Sequence, residues 1–109
     1  MSYFAKFNRG GIPFMEGADK ASFDEILDVE LHIADYGFIK GDEGEYACIQ
    51  IAEKPGKFYF ANSIITEMLK EVERDGHKDE LPTEVIVFSK RKSEKGRDYY
   101  AYEFPYAEA

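Results

Sequence analysis

Five cations crowd one short stretch of the chain. Lys90, Arg91, Lys92, Lys95 and Arg97 fall between Ser89 and Arg97, opposed only by Glu94. The stretch carries +4 in a chain of formal net charge -8, which leaves -12 for everything else. Lys and Arg at this density suit phosphate, because each neutralised phosphate releases condensed counterions. A charged tip that only keeps a hairpin soluble is the plainer alternative. Aromatic rings offer a second chemistry, since bases stack on Tyr and Phe at about 1–3 kcal/mol each, whatever their sequence. Tyr46, Tyr59 and Tyr99 are the candidate platforms, against the plainer reading that strand aromatics fill cores or pair across strands. Lys57 shares the face of Tyr59 and is a candidate phosphate contact. Lys6 and Arg9, in an opening stretch with no acid before Glu16, would extend the cationic track.

Other chemistries find little support. His32 and His77 are far apart and lack ligand spacing. Cys48 sits in an apolar run, which suits a buried, inert thiol. Asp42, Glu43 and Glu45 lack the alternating oxygen ligands of a calcium loop. No glycine-rich loop is built to cradle phosphate, and no carboxylate pair is recognisable as an acid and base. The residues point to a non-enzyme without metal or cofactor.

The composition frames these candidates. With 109 residues, 44% hydrophobic and 16% aromatic, the chain suits one folded domain. A single Cys excludes an intramolecular disulfide, and hence a disulfide-stapled secreted scaffold. No apolar stretch reaches the about 18 residues of a membrane helix, and the opening residues lack a signal-peptide core, so a cytoplasmic location and no membrane partner are expected. Taken alone, the acidic total argues against nucleic acid. The local +4 reverses that inference.

The elements that must position these side chains can be read from hydrophobic period. Leu27, Val29, Leu31 and Ile33 alternate with polar residues, which predicts a first strand, with Gly37 marking a bulge or bend. A helical turn over Ser22 to Ile26, capped by Ser22, precedes it. After the turn Gly41 to Gly44, a second strand runs from Glu45 to Glu53 with Ala47, Ile49 and Ile51 on one face and Tyr46, Cys48 and Gln50 on the other. A third spans Lys57 to Ala61. There Phe58 and Phe60 are assigned to the core, which turns Lys57 and Tyr59 outward together with Tyr46. Ile64, Ile65, Met68, Leu69 and Val72 then recur at helical spacing, with Ser63 as N-cap and Gly76 just past the end. Strands over Glu84 to Ser89 and Arg97 to Phe104 close the chain, joined by the basic loop. Residues 1–21 read as an arm, 22–105 as the domain and 106–109 as a short tail.

Five strands with one helix between the third and fourth suggest a mainly β, five-stranded Greek-key barrel with the helix plugging one end. An open α+β sheet fits the same elements. The order resembles the OB-fold, over roughly Leu27 to Phe104. Within it the chain is similar to the small single-stranded-DNA-binding proteins of phages and mobile elements. The strand Glu45 to Ala52, the aromatic run Lys57-Phe58-Tyr59-Phe60 and the hairpin ending in Gly96-Arg97-Asp98-Tyr99-Tyr100 carry that resemblance. It implies sequence-independent binding of single-stranded DNA in replication or recombination, in a bacterial or phage-infected cell. RNA binding and self-association stay open. The chain departs from bacterial relatives of this kind, since Phe104 to Ala109 form no Gly/Pro-rich linker with an acidic, Phe-ended tip. Recruitment through such a tail is therefore not expected. Trp is absent, so stacking falls to Tyr and Phe. A rival from another class is an acidic interaction module, in which the -12 remainder mimics nucleic acid or engages a basic partner.

Overall fold

A computed structural model describes residues 17–42 and 44–107. Lys6 and Arg9 lie outside the described residues. The structure is mainly β, with seven strands in two sheets and one α-helix among the described residues. In chain order the strands are β1 (Asp19–Lys20), β2 (Glu30–Leu31), β3 (Ile33–Gly41), β4 (Gly44–Ile51), β5 (Lys57–Phe60), β6 (Ile86–Lys92) and β7 (Asp98–Glu103). The helix α1 (Ser63–Arg74) lies between β5 and β6. One sheet has the order β1-β5-β4-β3 and the other β2-β6-β7.

This corrects the expected five strands and closed barrel. The long first strand is broken at His32: β2 pairs antiparallel with β6, while β3 pairs antiparallel with β4. One nearly continuous run of chain thus serves both sheets. The bend falls at His32 and at the register shift between Ile33 and Asp35, not at Gly37. The strand also begins later than its alternation suggests. Asp28 adopts a left-handed conformation (φ 59°), which Asp tolerates better than most residues, so Leu27 to Val29 do not extend the ladder. No ladder joins β5 to β7 among the described residues, so no closed barrel forms there. The free edge of β5 is instead taken by β1, which pairs with it in parallel through Asp19↔Lys57 and Lys20↔Phe58. The last residues of the expected arm are therefore part of a sheet.

From β1 the chain crosses to the other sheet. A 3-10 turn, Phe23–Ile26, follows, with Ser22 capping it as expected by accepting from the Asp24 N–H. Phe23 packs edge-on against Tyr59 and Phe88, at centroid distances of 6.4 and 4.9 Å. The Asp28 N–H then donates to Phe88 O at 2.7 Å. The segment from Asp19 to Asp28 thus fastens β5 to β6.

The core gathers between the sheets and α1. Ile33, Tyr36, Ala47, Ile49, Ile51, Tyr59, Ile86 and Phe88 are buried in it. Helix α1 adds Ile65, Met68 and Leu69 at its apolar spacing. Burying each such side chain stabilises the fold by about 1.5–3 kcal/mol. The N-cap is Asn62 rather than Ser63: its Oδ1 accepts from the Ile65 N–H at 3.0 Å. Its Nδ2 donates to Tyr100 O at 2.8 Å, so one side chain starts the helix and ties it to β7. Thr66 docks the helix on β4 by accepting from the Ala47 N–H at 2.9 Å. Gly76, at φ 77°, ends the helical segment as its spacing suggests.

Candidate nucleic-acid interface

The paired part of the β6–β7 hairpin reaches into the basic stretch. Strand pairing continues to Lys92↔Asp98, so Lys90, Arg91 and Lys92 stand on a strand and not in a loop. The turn is Ser93 to Arg97, closed by the Gly96 N–H donating to Ser93 O at 2.9 Å and the Ser93 N–H donating to Arg97 O at 2.8 Å. Gly96 takes φ 78°, a conformation that favours glycine. Pleating then sorts the cations. Lys90 opposes Tyr100 on the face that continues the core from Phe88. There Asp24 holds both: Lys90 Nζ lies 3.5 Å from Asp24 Oδ1, and the Tyr100 hydroxyl donates to the same carboxylate at 2.9 Å. Burial, then the bond to Asp24, raises the Tyr100 phenol above its ordinary value. Arg91 opposes the half-buried Tyr99 on the other face. Arg91, Lys92, Lys95 and Arg97 are exposed, and none forms a salt bridge among the described residues.

The aromatic face of the first sheet differs from expectation in one decisive way. Tyr59 is fully buried in the core; Phe58 is buried too, as expected, but on the opposite face of the sheet, in a second cluster with Cys48 against which the half-buried Phe60 packs. Antiparallel partners share a face, and the β4–β5 register pairs Ile49 with Tyr59 and Cys48 with Phe60. Since Ile49 faces α1, Tyr59 must follow it inward. Its hydroxyl is buried with no hydrogen-bond partner among the described residues, as is that of Tyr36. Burial pushes the Tyr36 phenol up to about 12. Lys57 does share the Tyr59 side but is engaged by Glu25 at 3.4 Å.

Tyr46 is on the outer face, as expected, and half-buried. Its ring meets Phe60 edge-to-face at 5.3 Å, and Phe60 meets Phe58 at 5.5 Å. The Tyr46 ring lies so close to Gly41 that a Cβ there would be 3.0 Å from it. Gly41 therefore leaves the space that Tyr46 occupies. Lys20, from β1, stands over the Phe60 ring with Nζ 4.9 Å from the centroid. Beneath these rings lies Cys48, whose thiol is pushed up to about 11 by burial, consistent with an inert group.

The structure thus assembles two features: an outer-face aromatic cluster of Tyr46, Phe58 and Phe60 with Lys20, and a hairpin tip of cations without a salt bridge among the described residues, beside Tyr99. The segment Asp19–Asp28 connects them, since Lys20 touches one and Asp24 the base of the other. Phe60 and Lys20 were missed by reading the sequence. Alternation marked Phe60 as sharing a face with Phe58 but not which face the core would take; the pairing of β5 with β4 decided that. Nothing local marked Lys20. Among the described residues, no group of three or more His, Cys, Asp or Glu side chains is placed to hold a metal ion. No described helix is long and apolar enough to cross a membrane. Comparison with family models, with curated proteins and with solved structures finds no match to this chain.

Proposed function

We propose that this protein binds single-stranded DNA with little sequence preference, in the replication or recombination of a phage or mobile element. The observation that carries this reading is the hairpin tip. Arg91, Lys92, Lys95 and Arg97 are exposed and without a salt bridge among the described residues, in a chain otherwise dominated by acid. Phosphates would meet these cations, while bases would stack on Tyr99 and on the outer ring of Phe60, flanked by Tyr46 and Lys20. The element order supports an OB-like barrel, opened where Asp19–Asp28 replaces the missing ladder. In that architecture the β6–β7 hairpin and the outer face of β4 and β5 are the ligand-binding parts.

The test is a titration of fluorescent oligo-dT against matched duplex at several salt concentrations. Each single-strand phosphate contact contributes about 0.7 to the log–log salt slope, so the four hairpin cations would give a slope of about −2 to −3. Duplex should bind more weakly, because its bases are unavailable for stacking. Absence of oligo-dT binding at low salt would refute the reading.

A further inference from the structure

A third region lies apart from the cations, where α1 ends. Val72 on the last turns of the helix, Leu81 in the 3-10 segment Lys78–Thr83 and Phe104 just after β7 line a groove of about 260 Å³. Glu84 stands on its rim with Glu80, whose carboxylate meets the His77 ring Nδ1. Two other cavities among the described residues are larger, at about 380 and 480 Å³, but are lined by charged residues such as Asp35, Lys78, Asp42 and Glu45. The groove at Phe104 combines an apolar floor with an acidic rim. It is smaller than the about 300–1,000 Å³ usual for drug-sized ligands, and suits a single large side chain.

The charge around it is one-sided. Between Glu67 and Glu84 the sequence has seven acids against three bases. All three bases are engaged: Lys70 by Glu45 at 3.1 Å, Arg74 by Glu71 at 3.5 Å and Lys78 by Asp35 at 4.0 Å. Glu73, Asp79 and Glu84 form no salt bridge among the described residues. Such a surface repels nucleic acid and anionic lipid and attracts cationic chains.

We propose that this groove docks a basic peptide segment of another protein, which inserts one large apolar side chain between Val72, Leu81 and Phe104 while its Lys or Arg residues meet Glu80 and Glu84. The apolar anchor provides the desolvated centre of the contact, and the charges steer it and set its direction. The site lies on different elements from the hairpin tip and the outer aromatic face, so both ligands can be held together.

The probe is a fluorescein-labelled pentapeptide, KRFRK, titrated against the full chain by anisotropy at low salt. Its Phe→Ser counterpart should bind about tenfold more weakly. Glu84→Lys and Glu80→Lys should each weaken KRFRK about fivefold, and about 0.5 M salt should largely erase that difference. Both positions are exposed, so circular dichroism should show an unchanged fold. Amide shifts on adding KRFRK should centre on Val72, Leu81 and Phe104. Equal binding of both peptides would reduce the effect to diffuse charge attraction and overturn the proposal. So would shifts confined to other surfaces, or an affinity unmoved by Glu84→Lys. Self-association by light scattering that Glu84→Lys abolishes would make a second copy the occupant, and would overturn it equally.

Discussion

The outer face of β4 and β5 and the tip of the β6–β7 hairpin both suit a nucleic acid, but they are built by opposite means. On the sheet, Tyr46, Phe58 and Phe60 brace each other edge-to-face and roof the buried Cys48. Their positions are set by packing, and salt has little hold on them. At the hairpin tip, Arg91, Lys92, Lys95 and Arg97 are positioned by backbone pairing and a tight turn, and their side chains reach into solvent. Their attraction for phosphate is strong at low ionic strength and screened over about 10 Å at 0.1 M salt. The difference teaches that affinity and its salt dependence should be separable by mutation: the hairpin sets the slope and the rings set the residual binding.

The largest effect is expected where that separation is attacked directly. Reversing Arg91, Lys92 and Lys95 together to Glu should lower oligo-dT affinity by at least about 100-fold at low salt and flatten the salt slope by about 2. An unchanged slope would take the phosphate contacts away from the hairpin. Phe60→Ala comes next. Losing one stacking platform should weaken binding about tenfold, with the slope preserved. If the slope falls as well, the sheet and the hairpin do not divide the work as described. Tyr59→Phe is the control on the same strand. It should leave DNA binding intact and be neutral or stabilising by up to about 1 kcal/mol in urea unfolding, because it removes a buried hydroxyl that has no partner among the described residues. A loss of binding without a loss of stability would return Tyr59 to the interface.

The smallest effect concerns the bend between the two sheets. Glu53 accepts from the His32 backbone N–H at 2.9 Å, and its other oxygen meets the His32 ring Nδ1 at 2.6 Å. Burial pushes the Glu53 carboxyl up, but the His32 bonds outweigh it and hold the group below its ordinary value. A depressed carboxylate stabilises the fold above its unfolded pKa of about 4.3 and loses that contribution as pH falls through the lower folded value. Glu53→Gln should therefore lower stability near neutrality by no more than about 0.5 kcal/mol, since the pair is partly exposed and screened. The difference from the parent chain should fade below about pH 4. A constant difference across acid titration would assign the effect to packing.

Much of this was legible along the chain. Period two marked the strands, helical spacing marked α1, and the run from Lys90 to Arg97 stood out by charge alone. Glycine at Gly76 and Ser22 before Phe23 marked local boundaries, because capping and left-handed turns depend on nearby residues only. The faces of β5 were not legible. Phe58, Tyr59 and Phe60 are all apolar enough to be buried, so alternation shows two faces without saying which one the helix covers. Register with β4 decided it, through Ile49↔Tyr59.

By itself, then, the sequence determined the mainly β composition, the single helix and the concentration of cations against an acidic remainder. Those properties depend on residue types and short spacings. Tertiary structure decided which charges are free and which are spent. Asp24 is remote in sequence from Lys90 and Tyr100, yet it holds both, and Glu25 holds Lys57. It also decided that β1 occupies the edge of β5 and that the first strand is divided between two sheets. Such outcomes depend on contacts between distant segments, and no local period encodes which of several available partners a strand edge or a carboxylate will take.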